Sequence, residues 1–512
     1  MFSHKIIPFE SAPALFERLR SEGHKIVQCH GTFDLVHPGH IYHLEEAREL
    51  GELLVTTVTA ENYVNKGPGR PYFNDAVRAK SLAALGCVDY VVIIPFPTAV
   101  EAITCVKPDI YCKGEEYQSS DADVTGNIND DIATVKNYGG EIRYIGSVVF
   151  SSSKLINEHF DHIPHSVKEY CHSLATHCTP NEFRAAIDSF SGLKVLVIGD
   201  IIFDRYSYLR IQGLTSKNRI LSGRFLHEET QAGGALAIQR HIAQFTDQVD
   251  LLGLLGTEPW VDDLMRSYLP EPHDHCLRDE TFTTIIKQRF VEPTGEGKEL
   301  SKLFSVNYIE PNPPSSSLIE CVIEKLRDRI HHYDLIVVAD FGHGTMAKAV
   351  RRLVEKEAPF MALNCQTNSN NHGFNIISCQ YTRADCFSLD EQELLLSCAQ
   401  RHIDFIGELK KLKKKLHARY AWLTRGAIET IGIKTDQPSS IINPFENRVI
   451  DTIGAGDAFF SVASLAACRN LSAPLSTFIG QLAGAQAVRI VGNSEPISKT
   501  ALLKAGMALL NF

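Results

Sequence analysis

The sequence predicts an α/β protein made of two doubly wound domains. Three observations lead to this prediction. The chain has 512 residues, which is too many for one ordinary hydrophobic core. Short apolar segments alternate with helical patterns in both halves, as they do in doubly wound folds. Each half also carries a glycine-containing turn at the start of a predicted helix, a place that suits phosphate groups.

In the first half, short apolar runs predict the strands. They lie at residues 25–29, 53–58, 90–94 and 109–112. A helix is predicted from Pro38 to about Leu50, because proline suits the first turn of a helix. The module is complete near its 158th residue, so the first domain is predicted at 1–160.

The second half shows the same alternation of apolar segments and helical patterns, but its sequence is not a repeat of the first half. Strands are predicted at 194–200, 335–339 and 420–424, and a helix at 458–467. Residues 161–190 are interpreted as a linker with one helix at 181–190, which places the second domain at 191–512. The polar run at 311–317 predicts a surface loop.

Composition excludes several classes of protein. The net charge of -10 argues against a nucleic-acid partner held by a broad basic surface. The thirteen cysteines form no CxxC pair and show no zinc-ligand spacing, so we expect reduced thiols. The N-terminus does not resemble a signal peptide, and no apolar run reaches membrane-spanning length. We therefore predict a cytoplasmic protein with no membrane partner.

A histidine pair marks the first candidate site. The string HGTFDLVHPGH occupies residues 30–40, so His37 and His40 lie three residues apart on one face of the predicted helix. The positive end of that helix suits a triphosphate. Gly31 permits the tight turn after the strand, and Gly39 lets phosphates approach the backbone. Two imidazoles here can stabilise charge on the α- and β-phosphates as pyrophosphate leaves.

This string resembles the cytidylyltransferase-like family, and it is most similar to the adenylyltransferase part of the bifunctional heptose enzymes. The segment KGPGRP at 66–71 and the hydroxyl-rich run SSSK at 151–154 add to the resemblance, which covers residues 5–157. It implies in-line attack of a phosphate oxygen on the α-phosphorus, with Mg²⁺ on the triphosphate.

The resemblance also implies roles for single residues. His37 and His40 would contact the phosphates, and Lys66 would stabilise charge in the transition state. The other nucleotide- and phosphate-binding positions would be Gly31, Thr32, Phe33, Gly39, Arg78, Lys113, Ser151, Ser152 and Ser153. For Arg78 and Lys113, a surface salt bridge is an alternative role.

The second candidate site is a glycine turn before a predicted helix. The string DTIGAGDAF occupies residues 451–459. Gly454 and Gly456, with Ala455 between them, let successive N–H groups point at one spot and form an anion hole for a transferring phosphoryl group. Asp457 follows at the helix start, where its carboxylate can accept the proton of an attacking hydroxyl.

This second string resembles the ribokinase-like (PfkB) sugar kinases, and the resemblance spans residues 179–512. It implies sugar-binding roles for Asp204, Gly233 and Gly234. It also implies that Gly426 lies in a nucleotide-binding turn and that Glu391 influences Mg²⁺ indirectly.

Three positions depart from the kinase pattern. Ala237 and Ser388 stand where that family has asparagines, and Glu429 stands at the second glycine of the nucleotide turn. An unusual polar tract, NCQTNSNN at 364–371 followed by GFN at 373–375, is either a polar loop or a contact surface for substrate or nucleotide. These changes leave the acceptor sugar open.

Together the two resemblances predict a bifunctional enzyme of nucleotide-sugar synthesis, of the kind that serves lipopolysaccharide or capsule. It would phosphorylate a heptose-like sugar or sugar phosphate with ATP. It would also transfer a nucleotidyl group to a sugar phosphate, giving an NDP-sugar and pyrophosphate. ATP is favoured as nucleotidyl donor by the KGxxRP resemblance, with CTP as the alternative. The heptose enzymes have the kinase first, so the domain order here is swapped.

Partners would be small-molecule sugars and nucleotides, and a homo-oligomer is expected because both resembled families often dimerise. Two other interpretations stay open. One is a glycerol- or polyol-phosphate cytidylyltransferase fused to a kinase of different substrate. The other is a catalytically silent ribokinase-like module in the second half.

Overall fold

The computed structural model describes residues 2–511, with gaps at 65, 68, 116–127, 147–163, 270–275, 294–299, 311, 369–370, 372 and 447. The chain forms two compact units. The first comprises Met1–Lys168 together with Leu503–Phe512, and the second comprises Glu169–Leu502. Each unit has its own parallel sheet, so the predicted fold class is confirmed.

The first unit is built on a six-stranded parallel sheet in the order β1-β4-β3-β2-β5-β6. Its strands are β1 (Ile6–Ile7), β2 (Ile26–Gly31), β3 (Leu53–Thr59), β4 (Tyr90–Ile94), β5 (Ile110–Gly114) and β6 (Glu141–Ile145). Its α-helices are Ala12–Ser21, Pro38–Arg48, Asp75–Ala83, Ala99–Val106 and Ile128–Asn137. The strand order reverses between β2 and β5, and open α/β sheets bind ligands outside the carboxyl ends at such a point.

The strands of this sheet are apolar on both faces because both faces are covered. Alternate residues pack into opposite clusters: Val27, Leu54 and Val91 lie in one, and Ile26, Val55 and Val92 in the other. The strands of a parallel sheet that is buried on both faces consist of consecutive apolar residues, and such runs can be recognised in the sequence.

The second unit has a main sheet of eight strands in the order β10-β7-β15-β16-β17-β18-β19-β20, parallel through β18 and antiparallel beyond it. These strands are β7 (Val195–Gly199), β10 (Val249–Leu252), β15 (Leu335–Asp340), β16 (Met361–Cys365), β17 (Cys386–Asp390), β18 (Tyr420–Thr424), β19 (Thr430–Lys434) and β20 (Ser440–Ile442).

A second, four-stranded sheet in this unit has the order β14-β13-β8-β9, and the sequence analysis did not predict it. Its strands are β8 (Ile201–Leu214), β9 (Leu221–Gly233), β13 (Ile285–Glu292) and β14 (Ser301–Tyr308). β11 (Leu254–Leu255) and β12 (Leu277–Arg278) form a separate short pair. The outer parts of β8 and β9 and most of β14 are exposed and mix charged with apolar residues, so no strand pattern marks them.

The α-helices of the second unit include two apolar ones, Ala455–Cys468 and Ala473–Ala487, whose side chains are almost all buried. The others are Pro180–Asp188, Gly234–Ile242, Pro259–Tyr268, Ser316–Arg327, Lys348–Glu357, Ile377–Gln380, Glu391–Cys398 and Phe405–Lys415. The helices His165–Ala175 and Lys499–Leu509 each contain a boundary between the units.

Most predicted elements are present with shifted ends. β4 and β18 match their predicted ranges, whereas β2 runs to Gly31 because it continues to pair with β3. The predicted linker contains the helix His165–Ala175 in addition to the one helix expected at 181–190, which runs from Pro180 to Asp188. The predicted loop at 311–317 is shortened, because Ser315 caps a helix that starts at Ser316.

Two further observations concern the whole chain. All thirteen cysteines lie in the described part and none forms a disulfide. No described helix combines the length and the apolar character that crossing a bilayer requires.

Candidate active sites

The histidine turn of the first unit lies at the carboxyl end of β2, beside β5, where the strand order reverses. His37 has extended backbone and precedes the helix Pro38–Arg48, which starts without a side-chain cap; the N–H of His40 donates to the carbonyl of His37 at 2.9 Å. Phe33 adopts a positive φ of 46°, and a Cβ on Gly31 would lie 3.2 Å from its ring. Gly31 therefore makes room for Phe33, and Gly39 lies in the first helical turn.

The structure brings the two predicted catalytic histidines together. The rings of His37 and His40 stack with centroids 3.9 Å apart, and Phe33 packs edge-on against His40 at 5.2 Å. Burial lowers the pKa of His40 to about 3, with further lowering by the charges of His37 and Lys66. Burial and Lys66 lower the pKa of His37 as well. The neutral form of both imidazoles is therefore favoured near pH 7, and in that form each ring carries one N–H group.

Lys66 supplies the positive charge beside these rings. Burial first, and then the nearby Arg70, lower the pKa of its ammonium group to about 8 against the opposing charge of Asp34. Asp34 is buried: one carboxylate oxygen lies 3.3 Å from Arg70 and the other accepts the N–H of Phe73 at 3.0 Å. Asp34 and Arg70 each lie in one of the two sequence motifs and had no predicted role, and their ion pair joins the two motifs.

Arg78 and Lys113, predicted to bind nucleotide, both have protein partners. Arg78 is buried, donates to the carbonyl of Thr32 at 2.6 Å and pairs with Asp75. Lys113 pairs with the buried Asp131 at 2.9 Å. The Arg78 side chain thus holds the histidine turn by binding the backbone carbonyl of Thr32. Ser151, Ser152 and Ser153 lie outside the described residues.

In the second unit, the glycine turn caps an apolar helix. Gly454 has a φ of 84° and is the N-cap of Ala455–Cys468, which starts without a side-chain cap. A Cβ on Gly454 would lie 2.2 Å from the side-chain oxygen of Asn493, whereas a Cβ on Gly456 would meet nothing within 4 Å. Gly454 is therefore required by backbone conformation and close approach, while Gly456 faces open space.

The turn is anchored by Asp451, whose role the sequence analysis left unassigned. This carboxylate is fully buried and accepts hydrogen bonds from the Tyr206 hydroxyl at 2.9 Å and the N–H groups of Ile453 and Gly492 at 3.1 and 3.0 Å. Lys302 pairs with it at 2.8 Å. Its position at the head of the DTIGAGD string was the available signal.

Asp457 lies at the wall of a cavity of about 220 Å³. Burial first, and then the charge of Asp204, raise the pKa of Asp457 to about 7 against the opposing effects of Lys287 and a hydrogen bond from Gln366. A carboxyl group with this pKa can take up a proton near neutral pH. The cavity is also lined by Gly234, Gly454, Gly456 and Arg289.

The predicted sugar contacts gather at the same cavity. Asp204 on β8 lines it and pairs with Arg289 on β13. A Cβ on Gly233 would lie 2.4 Å from the Asp204 carboxylate, and one on Gly234 would lie 2.5 Å from the carbonyl of Asp200. The diglycine therefore permits the strands to pack closely around Asp204.

Two cations of this cavity, Lys287 and Arg289, were missed by sequence reasoning. They lie two residues apart on β13 and line the cavity together. Burial lowers the pKa of Lys287. The available signal was a pair of alternating charges in a strand that begins with buried isoleucines.

Glu391 and Gly426 do not line this cavity. Glu391 accepts a hydrogen bond from Arg425 at 2.8 Å, and Arg425 also binds Glu429 at 2.5 Å. Gly426 has a φ of 54° with open space beside it. Glu429, which replaces a glycine of the expected turn, is thus held in an ion pair.

Glu393, two residues further along the same helix, was not predicted. Its carboxyl group is buried and accepts N–H bonds from Thr367 and Asp390, both at 2.9 Å. Burial raises its pKa to about 8, with contributions from the charges of Asp390 and Asp457. The other two departures, Ala237 and Ser388, are buried in a helix and in β17.

Each α/β unit places a glycine-containing turn and ionisable groups at a helix start, an arrangement that suits the binding of phosphate groups. Comparison with known families gives the particular class. Residues 193–500 match the pfkB family carbohydrate kinases, and residues 29–172 match the cytidylyltransferase-like family. The kinase match covers more than half of the chain, so the chain belongs to the pfkB family carbohydrate kinases. A cytidylyltransferase-like region thus precedes the carbohydrate kinase domain in this chain.

Relatives of known name match part of the chain. "Bifunctional protein HldE" of Syntrophotalea carbinolica is 37% identical over 149 residues, 29% of this chain and 29% of that protein. The protein of the same name from Pseudomonas syringae pv. syringae is 40% identical over 141 residues, 27% of this chain and 28% of that protein. The chain thus spans less than a third of the length of these curated relatives.

Among solved structures, phosphofructokinase-2 of Escherichia coli in complex with substrates and products is similar to this chain. The TM-score is 0.50 at 12% identity, over 62% of this chain and 99% of that one. At this identity the likeness shows the fold alone.

Proposed function

We propose that this chain phosphorylates a heptose-like sugar or sugar phosphate with ATP and transfers a nucleotidyl group from an NTP to a sugar phosphate. The products of the second reaction would be an NDP-sugar and pyrophosphate. The observation that carries the proposal is Asp457, a buried carboxyl group with a pKa near 7, beside a glycine turn and a cavity that holds a sugar-binding candidate. The stacked histidines and Lys66 of the first unit support the second activity.

In the proposed nucleotidyl transfer, a phosphate oxygen of the sugar phosphate attacks the α-phosphorus of the NTP and pyrophosphate leaves. Neutral His37 and His40 would donate N–H groups to the phosphates, and Lys66 would balance the charge that develops in the transition state. The backbone of Thr32, Phe33 and Gly39 would line the triphosphate at the helix start. Arg78 would act by holding Thr32, and Lys113 and Ser151–Ser153 stay proposed phosphate contacts.

In the proposed kinase reaction, Asp457 accepts the proton of the acceptor hydroxyl. The oxygen of that hydroxyl attacks the γ-phosphorus of ATP. The N–H groups at Gly454, Ala455 and Gly456 would stabilise the transferring phosphoryl group. Asp204, Gly233 and Gly234 would hold the sugar, and Gly426 would contact the nucleotide. ADP is the leaving group.

Mg²⁺ is the metal that both reactions imply, and its chemistry is to neutralise and orient the phosphates. It is commonly bound through substrate phosphates and waters, with few protein ligands. The carboxyl groups of Asp457 and Glu393 give this region a negative potential when they are ionised, and the charge of Asp457 accordingly raises the pKa of Glu393. Such a potential fits a nucleotide-borne dication, with Glu391 acting on it indirectly.

The first test is phosphorus-31 NMR on the protein with Mg²⁺, ATP, CTP and D-glycero-D-manno-heptose 7-phosphate. We expect a new anomeric phosphate signal with ADP formation, followed, with a heptose 1-phosphate, by pyrophosphate and a nucleotide-sugar. The base of that product decides between ATP and CTP. A well-folded protein that turns over no heptose, but converts a glycerol or polyol phosphate, would replace this proposal with the alternative transferase.

A further inference from the structure

The polar tract at residues 364–375 lies at the carboxyl end of β16, next to the proposed kinase site. Two of its asparagines, Asn371 and Asn375, bind the backbone of the tract itself. The amides of Asn371 and Asn375 donate to the carbonyl of Gln366 at 3.1 and 3.2 Å, and the N–H of Gln366 donates to the carbonyl of Asp340 at 2.8 Å. Asn375 is buried and donates to Asp340 as well. The backbone of Gln366 is therefore fixed from both sides.

The side chain of Gln366 points from this fixed backbone at Asp457. Its amide donates to Oδ1 of Asp457 at 2.9 Å, and the amide of Asn364 lies 3.5 Å from the same oxygen. An ionised carboxylate only accepts hydrogen bonds, so an amide nitrogen must face it. Both contacts converge on Oδ1, and the other carboxylate oxygen remains for an acceptor hydroxyl.

We infer that Gln366 is a positioning residue for Asp457, and that the polar tract is the scaffold that holds it in place. This inference rests on the proposed kinase function. The hydrogen bond fixes the carboxylate rotamer and favours its ionised form, which is the form that accepts a proton. On this inference, the tract acts on the reaction through Asp457. It is neither a polar loop without a role in the reaction nor a surface that contacts the substrate directly.

The other charged groups that face Asp457 act independently of Gln366. Asp204 on β8 raises its pKa and Lys287 on β13 lowers it, while Glu393 on the helix Glu391–Cys398 is electrostatically linked to it. None of these residues changes when the amide of Gln366 is removed. A shift in the titration of Asp457 on that substitution therefore reports the hydrogen bond.

The test compares Gln366→Met with the wild-type protein, since methionine keeps the unbranched shape and removes the donor. We expect kcat of the kinase reaction to fall about 10- to 100-fold, within the range of general-base effects. The acidic limb of the profile of kcat/KM against pH should move to higher pH, while KM for the acceptor changes less than about threefold, as expected for a lost transition-state interaction. Gln366→Asn, whose amide is too short to reach, should behave the same way.

Gln380→Met is the matched control, because the side-chain amide of Gln380 donates to the carbonyl of Phe374 at 3.2 Å and, among the described residues, forms no hydrogen bond with Asp457. It should keep the wild-type pH profile. A rise in acceptor KM with unchanged kcat in Gln366→Met would instead identify a direct sugar contact and overturn the inference.

A second readout does not need turnover. Carbon-13 NMR of protein labelled at aspartate carboxyl groups, with the Asp457 signal assigned by its absence in Asp457→Asn, gives the titration midpoint directly. We expect a midpoint near 7 in the wild-type protein and a higher one in both Gln366 variants. An unchanged midpoint overturns the inference. If both Gln366 variants show the higher midpoint but the wild-type protein gives no kinase turnover, the proposed function alone is overturned.

Discussion

At the residue scale, the two proposed sites use burial in opposite ways. In the first unit, burial favours the neutral form of two histidines and lowers the pKa of Lys66. In the second, it raises the pKa of Asp457 until the group can exchange a proton near neutral pH. Perturbed ionisable groups of this kind cluster at functional sites, and each gives a pH signature that can be measured.

Nucleotidyl transfer should lose rate on the alkaline side as Lys66 loses its proton. Because the pKa of this group in the free protein is about 8, kcat/KM should fall through a midpoint near that pH. Lys66→Arg keeps the charge to higher pH and should remove this alkaline limb, whereas Lys66→Met should lower kcat/KM at all pH values. A limb that persists in Lys66→Arg would assign the titration to another group.

Asp457→Asn should abolish most kinase turnover and yet stabilise the fold. The pKa of Asp457 lies above that of an unfolded aspartate, about 3.9, so the fold favours the neutral form. Ionisation therefore costs stability increasingly from about pH 4 to pH 7, and the cost is constant above that. The melting temperature of the variant should exceed that of the wild-type protein at pH 8 and equal it near pH 4. A variant less stable at pH 8 would contradict the assignment of this pKa.

At the scale of elements, both proposed sites are turns that present the start of a helix. Local sequence specifies such turns, so the histidine turn and the glycine turn lie where the motifs predict them. Gly454 illustrates why, because its positive φ and the nearby Asn493 leave no room for a side chain.

Gly454→Ala and Gly456→Ala separate two requirements of this turn, its backbone conformation at Gly454 and its access to the cavity at Gly456. The first places a methyl group against Asn493 at a φ of 84°, and we expect a loss of about 1–3 kcal/mol in the free energy of unfolding. The second meets no atom within 4 Å, so stability should change by less than about 0.5 kcal/mol while kinase turnover falls, because the methyl group enters the cavity. Denaturant unfolding and turnover on the same preparations measure both effects.

The site residues that could not be predicted from the sequence lie on elements that are far from the motifs along the chain. Gln366 contacts Asp457 across 91 positions in the chain, and Lys287 and Arg289 come from a sheet that no pattern marked. A period of two indicates a strand, but it does not say which strands pair or which side chains they bring together. The apolar strands of the main sheets were predictable for the converse reason, because burial on both faces leaves a continuous apolar run.

At the scale of the whole molecule, two compact units each have a sheet and a hydrophobic core of their own. The described residues of each proposed site lie within one unit: the histidine pair and Lys66 in the first, and the residues lining the Asp457 cavity in the second. The family matches divide the chain in the same sense, with a cytidylyltransferase-like region before a carbohydrate kinase region.

The two activities should therefore be lost independently. His40→Ala removes one of the stacked imidazoles, so nucleotidyl transfer should fall about 10²- to 10³-fold, as when an electrostatic donor is deleted, while kinase turnover stays within about twofold of the wild-type value. Asp457→Asn should give the reverse pattern, and the double variant should lose both reactions. Phosphorus-31 NMR of the three variants against separate kinase and transferase substrates measures this directly. If either single substitution abolished both reactions in a folded protein, each site would depend on the other unit, and the assignment of one proposed site to each unit would be wrong.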